Sequence, residues 1–170
     1  MNWPFAILAF VTVQRLGELA IDRRNTARLL AAGAHEVGAG HYPAMVAMHA
    51  AWLVALWATA GDRPVNGLLL ALFGVLQGLR AWVLASLGPR WTTRIIAMPG
   101  VPLVRKGPYR FLHHPNYVVV TAEIAVLPLV FGLVWIAMLF TLLNAAMLVV
   151  RIGAENRALY AALPGDHGRQ

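Results

Sequence analysis

The stretch YVVVTAEIAVLPLVFGLVWIAMLFTLLNAAMLVVR, residues 117–151, decides the fold. Between its two ends it carries one charged side chain, Glu123, and it is too long for a single crossing, which needs about 20 apolar residues. Pro128 and Gly132 fall near its middle. Proline cannot continue a helical hydrogen-bond ladder, so the stretch reads as two spans of about fifteen to eighteen residues joined by a short turn.

Working towards the N-terminus, the same criterion finds three more spans, over residues 3–20, 44–60 and 65–87. Pro4 is tolerated in the first of them because first-turn amides have no helical partner. The tetrapeptide GDRP, residues 61–64, makes the second and third spans a helical hairpin. Two polar connections remain. DRRNTARLLAAGAHEVGAGHYP, residues 22–43, is Gly-rich and reads as helical only around Thr26 to Ala32, whereas GPRWTTRIIAMPGVPLVRKGPYRFLHHPN, residues 88–116, reads as a loop. The expectation is an all-α, polytopic membrane protein with about five transmembrane helices, forming a single domain over residues 1–170. No internal repeat is evident.

Composition agrees. Hydrophobic residues make up 59% of the chain and charged residues 12%, with a mean hydropathy of +0.64, outside the range of soluble domains. The net charge of +7 is distributed between apolar spans, which points to orientation signals and anionic headgroups rather than to nucleic acid. Alternation of the spans puts eleven of the fourteen basic residues on one side: Arg23, Arg24, Arg28, Arg90, Arg94, Arg105, Lys106, Arg110, Arg151, Arg157 and Arg169. Only Arg63 falls opposite, and Arg15 and Arg80 lie within spans. The positive-inside rule then predicts an outside N-terminus and a cytoplasmic C-terminus and active site, in a bacterial inner membrane. The N-terminal MNWPFAILAF has no basic n-region or evident cleavage site and reads as a retained span. With no cysteine there is neither a thiolate nucleophile nor a Cys-based metal site.

The chemistry concentrates at the start of the quoted stretch. VRKGPYRFLHHPNYVVVTAEI, residues 104–124, sets Tyr, Arg and His between two X-Pro steps, which shapes a loop rather than a solvated charge cluster. Glu123 follows inside the membrane and calls for a partner such as Arg80, Arg94 or a histidine. Arg15 and Glu18 share a helix face, and so do Gln77 and Arg80. Gly74 and Gly78 have the G-x-x-x-G spacing that allows a close helix contact, including one in a homodimer. His35, His41 and His49 are spaced by six and eight and have neither Cys nor paired carboxylate beside them, which argues against a metal. His41 and His49 are substrate-side candidates together with Glu123, and Trp91 beside the basic loop is a candidate pocket wall. No G-x-G-x-x-G follows a strand-like run.

GPYRFLHHPNY, residues 107–117, resembles the G-P-Y-x-x-x-R-H-P-x-Y signature of the isoprenylcysteine carboxyl methyltransferase superfamily, with His113 where Arg is usual. RIGAENRALY, residues 151–160, resembles the R-I-x-x-E-E-x-x-L segment of that superfamily, with Asn156 in place of the second Glu. Together with HYPAMVAMHAAWL and SLGPRWTTRIIAMPGVPLVRKGPYR, these segments are most similar to the small bacterial branch associated with type III polyketide synthases, whose acceptors are alkylpyrones or alkylresorcinols. The resemblance implies S-adenosylmethionine bound by the C-terminal part, about residues 86–160, with Tyr109, His114, Pro115, Asn116, Tyr117 and Glu155 at the cofactor. The resemblance does not extend to the superfamily's late Tyr and Arg positions, where this sequence reads AALPGDHGRQ.

For methyl transfer to oxygen, Arg94 or Arg110 would orient an anionic oxygen, and Glu155 would orient the donor or take a proton from a phenol. The expected partners are membrane lipids and a lipophilic acceptor. Rival readings are carboxyl methylation of a prenylcysteine, N-methylation of a phospholipid, an NADPH-dependent membrane reductase, and a transporter or assembly subunit with Arg15, Arg80 and Glu123 along a polar path.

Overall fold

The computed structural model describes residues 2–98, 101 and 104–162, with side chains described as far as Ala154. Five helices dominate: α1 (Trp3–Ala31), α2 (Tyr42–Thr59), α3 (Gly67–Leu87), α4 (Pro115–Val130) and α5 (Val134–Ala162). α1, α3 and α5, and the segment Ala39–Thr59 containing α2, are long and apolar enough to cross a bilayer. α4 is shorter, at 16 residues.

The division of the quoted stretch falls where its residues require. Pro128 occupies the last turn of α4, and Gly132, at φ +69°, reverses the chain. Its amide donates to the Leu129 carbonyl at 3.0 Å, and the Leu133 amide donates to the Pro128 carbonyl at 2.9 Å. This is the Schellman arrangement that satisfies the carbonyls at a helix end.

Two differences from the sequence reading stand out. α1 does not stop near residue 20 but continues to Ala31, because its polar residues find partners. Asp22 Oδ1 accepts the Thr93 amide at 2.6 Å, and Asn25 Nδ2 donates to the Trp91 carbonyl at 2.8 Å. The fold is also not purely helical. β1 (His35–Val37) pairs antiparallel with β2 (Ile95–Ala97), Glu36 standing opposite Ile96. This ribbon joins the two long connections that had read as separate loops.

Hydrogen bonds fix the two ends of the bundle. At one end Asn2 Nδ2 donates to Asp62 Oδ1 at 2.9 Å, and the Asn66 amide donates to the Val130 carbonyl at 2.9 Å. This gathers the N-terminus, the α2–α3 turn and the α4–α5 turn. The ribbon and the basic connections occupy the other end. The hydrophobic core lies nearer the turns and includes Leu8, Trp52, Leu56, Phe73, Ile124, Leu127, Phe131 and Phe140. Large apolar side chains such as Val13, Leu68, Val75, Leu142 and Val149 face outward, as lipid contact demands. Gly74 and Gly78 are outward too, with no neighbouring atom where a Cβ would stand.

Gly107 positions the GPYR turn (Gly107–Arg110) against α3. Its φ is +57°, and a Cβ there would run into Ser86 Oγ and crowd the Trp82 indole nitrogen. Left-handed backbone costs a non-glycine residue about 1–2 kcal/mol before any clash. Gly107→Ala is therefore expected to lower stability by at least about 1–2 kcal/mol and to loosen the 107–114 segment. Unfolding of the detergent-solubilised protein and limited proteolysis of that segment read the two effects.

Candidate functional site

A cavity of about 280 Å³ lies among the five helices, lined by Arg15, Glu18, Tyr42, Met45, His49, Trp52, Arg80, Trp91, Thr93, Asn116, Tyr117, Asn144, Met147 and Arg151 together with aliphatic side chains. Its charged wall is built from three helices. The Glu18 carboxylate is gripped by the Arg80 guanidinium through Nε and Nη2, and accepts from Arg15 Nη1 at 3.2 Å and Gln14 Nε2 at 3.2 Å. Behind it, Glu123 is fully buried and accepts from Arg15 Nη2 at 2.7 Å, Arg80 Nη1 at 2.8 Å and Gln77 Nε2 at 2.9 Å. Two guanidiniums thus face two carboxylates, the neutral, multiply hydrogen-bonded arrangement that buried charge requires.

At another wall the two C-terminal motifs meet. Arg151, the first residue of RIGAEN, donates from Nε to the Tyr117 hydroxyl at 2.8 Å across a separation of 34 residues. Its guanidinium carbon stands 5.2 Å from the centre of the Tyr117 ring, and Nη1 reaches Met45 Sδ at 2.8 Å. The rings of Tyr117 and His114 stack at 5.0 Å with 6° between their planes. Pro115 opens α4 with a residue whose absent amide needs no partner, so Asn116 and Tyr117 enter the first turn facing the cavity. Asn116 Oδ1, Trp91 Nε1 and Trp52 Nε1 are buried without a hydrogen-bond partner among the described residues. Such groups on a cavity wall suit a polar ligand.

Other sequence candidates lie elsewhere. Arg94 is not among the cavity's described lining residues. It holds both oxygens of Glu36 at 2.9 and 2.8 Å across the ribbon and lies 4.1 Å over the Tyr42 ring. Partial burial opposes its charge, but the Glu36 hydrogen bonds and charge prevail and raise its pKa above the ordinary arginine value. Arg110 is exposed, 5.9 Å from the centre of the Phe111 ring. Tyr109 sits half-buried in the GPYR turn, and His41 caps α2 against Gly38; neither is among the cavity's described lining residues. His114 and Pro115 support Asn116 and Tyr117 from the start of α4. Trp91 and His49 line the cavity. The side chains of Glu155 and Arg157 lie outside those described, and so do residues 163–170, Arg169 among them. No metal-binding group of His, Asp and Glu occurs among the described residues.

The sequence places Arg15 with Glu18 and Gln77 with Arg80 on shared helix faces, but it marks neither Asn144 nor Arg151 as a site group. The signal available was general: ionisable side chains inside apolar spans are too costly to persist without a role.

Residues 68–161 match the family described as isoprenylcysteine carboxyl methyltransferase (ICMT). The chain is also 40% identical over 159 residues to the uncharacterized protein YpbQ of Bacillus subtilis (strain 168), covering 90% of this chain and 94% of the relative. No solved structure gives a significant match. The matched region runs from α3 to the end of α5 and contains both motifs that meet at Tyr117 and Arg151, so this integral membrane protein belongs to the isoprenylcysteine carboxyl methyltransferase family.

Proposed function

We propose that the chain transfers a methyl group from S-adenosylmethionine to an oxygen of a lipophilic acceptor of the alkylpyrone or alkylresorcinol class. The observation that carries this reading is a single cavity bounded both by the joined family motifs and by a charged wall within an otherwise apolar lining. The described side chains fit the donor. Asn116 Oδ1 offers an unused acceptor and Trp91 Nε1 an unused donor, while Arg151 offers a guanidinium for a carboxylate. Tyr117 and Trp91 offer aromatic faces for a ring or a cationic sulfur.

When bound, S-adenosylmethionine supplies an electrophilic methyl group on a sulfonium sulfur. The chain's own part is to exclude water and hold the acceptor oxygen. Sulfonium and anionic oxygen lose their charges on reaction, so a desolvated apolar cavity favours the transition state. Orientation of that oxygen, first given to Arg94 and Arg110, passes to Arg15 and Arg80, which line the cavity. A long alkyl tail suits chemistry inside a bilayer, because each methylene favours the membrane by about 0.8 kcal/mol.

In this reading α4 serves as a fifth crossing. The end carrying Arg23, Arg24, Arg28, Arg90, Arg105, Lys106 and Arg110 faces the cytoplasm of a bacterial inner membrane. The outward Gly74–Gly78 stripe would be free for a homodimer.

Calorimetric titration of the purified protein in detergent, with S-adenosylmethionine and separately with NADPH, tests the reading. Micromolar binding of the first alone is expected, weakened about tenfold or more by Asn116→Ala, the loss of roughly one hydrogen bond to a charged ligand. Binding of NADPH alone would favour a reductase. Binding of neither to folded protein would bring the transporter reading forward. A one-methyl mass gain on alkylresorcinol or alkylpyrone, and none on prenylcysteine or phosphatidylethanolamine, would fix the acceptor class.

A further inference from the structure

His49 is the remaining cavity histidine, and its ring is held in one tautomer. Nδ1 lies 2.8 Å from the Met45 carbonyl oxygen. A carbonyl can only accept, so Nδ1 carries the proton and Nε2 carries a lone pair. Nε2 has no hydrogen-bond partner among the described residues, and the ring lines the cavity. The other titratable or charged side chains described on that lining are Arg15, Glu18, Tyr42, Arg80, Tyr117 and Arg151. Each is engaged: Glu18 by two guanidiniums and Gln14, the Tyr42 hydroxyl by Thr93 at 3.2 Å, and the Tyr117 hydroxyl by Arg151. The three arginines carry no lone pair to offer. They do place positive charge around any oxygen that loses a proton here.

Resting on the methyl-transfer reading, we propose that His49 is the general base that takes the proton from the acceptor's hydroxyl. The acceptor O–H bond breaks and the proton passes to Nε2. The oxygen's electron pair forms the new C–O bond while the methyl–sulfur bond breaks, its pair remaining on sulfur. The imidazolium then gives its proton to water, so each turnover releases one proton. The base matters for a phenol, which is neutral at physiological pH, and hardly at all for an acidic enol such as a 4-hydroxy-2-pyrone, which enters already ionised. The substrate class addressed by His49 is therefore the alkylresorcinol type.

The first test needs no donor and no turnover. A nitrophenol bearing a long alkyl chain is bound to the purified protein in detergent, and its phenolate absorption is followed against pH. Binding to the native protein should lower the ionisation midpoint by about one pH unit. His49→Asn keeps an amide donor for the Met45 carbonyl but has no basic nitrogen, and should remove most of the shift, leaving affinity for the neutral phenol unchanged and weakening that for the phenolate by up to about tenfold. His49→Gln should do the same.

The second test compares acceptors. With S-adenosylmethionine, His49→Asn should lower kcat about 100-fold on an alkylresorcinol and at least about tenfold less than that on an alkylpyrone. An undiminished shift, equal losses on both acceptors, or transfer of the whole effect to Glu155→Gln would overturn the proposal. A native protein that ionises the probe through His49 yet methylates neither acceptor would instead refute the methyl-transfer reading and keep the base.

Discussion

Glu123→Leu lowers the stability of the protein in detergent by about 3–5 kcal/mol, the range for removing one partner of a buried ion pair. The effect is large because three donors lose their acceptor together. Arg15 Nη2, Arg80 Nη1 and Gln77 Nε2 all end on the Glu123 carboxylate, whose side chain is 0% exposed. Without it, two guanidiniums share Glu18 alone, and net positive charge is left between helices where water cannot screen it. Glu123→Gln keeps one carbonyl acceptor and should cost clearly less. Removing Arg80 as well, in Glu123→Leu with Arg80→Met, leaves Arg15 matched with Glu18, so the double variant should be more stable than the sum of its parts. Denaturant unfolding followed by tryptophan fluorescence gives all these values. A single-variant loss under 1 kcal/mol would mean that the network is solvated and that α1, α3 and α4 are held together by apolar packing.

Arg151→Ala is the second large effect, and it falls on ligand binding rather than on the fold. The guanidinium links α5 to α4 through the Tyr117 hydroxyl and to α2 through Met45, and it borders the cavity beside Asn116. If it meets the donor's carboxylate, its loss removes a charge-assisted contact worth about 1.5–3 kcal/mol and releases the Tyr117 ring. Affinity for S-adenosylmethionine should then fall by one to two orders of magnitude, about a factor of ten per 1.4 kcal/mol. Tyr117→Phe separates the two causes, because it frees the Arg151 Nε but keeps both the charge and the aromatic face. It should cost no more than about tenfold. Equal losses in the two variants would assign the effect to the Arg151–Tyr117 link, and no loss in Arg151→Ala would remove the guanidinium from the donor site.

The sequence by itself determined the apolar helical segments and the motifs. Hydrophobicity adds along a segment without reference to any other, so residues 117–151 divided at the Pro128–Gly132 turn before any packing was known. The order of polar residues in GPYRFLHHPNY and RIGAEN is likewise a local property.

Which charges meet is not local. Arg15 and Glu123 are 108 residues apart, and Glu18 and Arg80 are 62 apart. Their convergence depends on the rotation and relative height of three helices, set by core packing around residues such as Leu8, Phe73 and Ile124. The same non-local geometry took Arg94 to Glu36 on a ribbon that no alternation pattern announced, since each strand is three residues long. It extended α1 to Ala31, because Asp22 and Asn25 were satisfied by the 88–93 segment. It also turned His49 from one of three poorly spaced histidines into the one of them that lines the cavity, its Nδ1 held at the Met45 carbonyl. A side chain's chemistry is written in its type, but its partner is chosen by the fold.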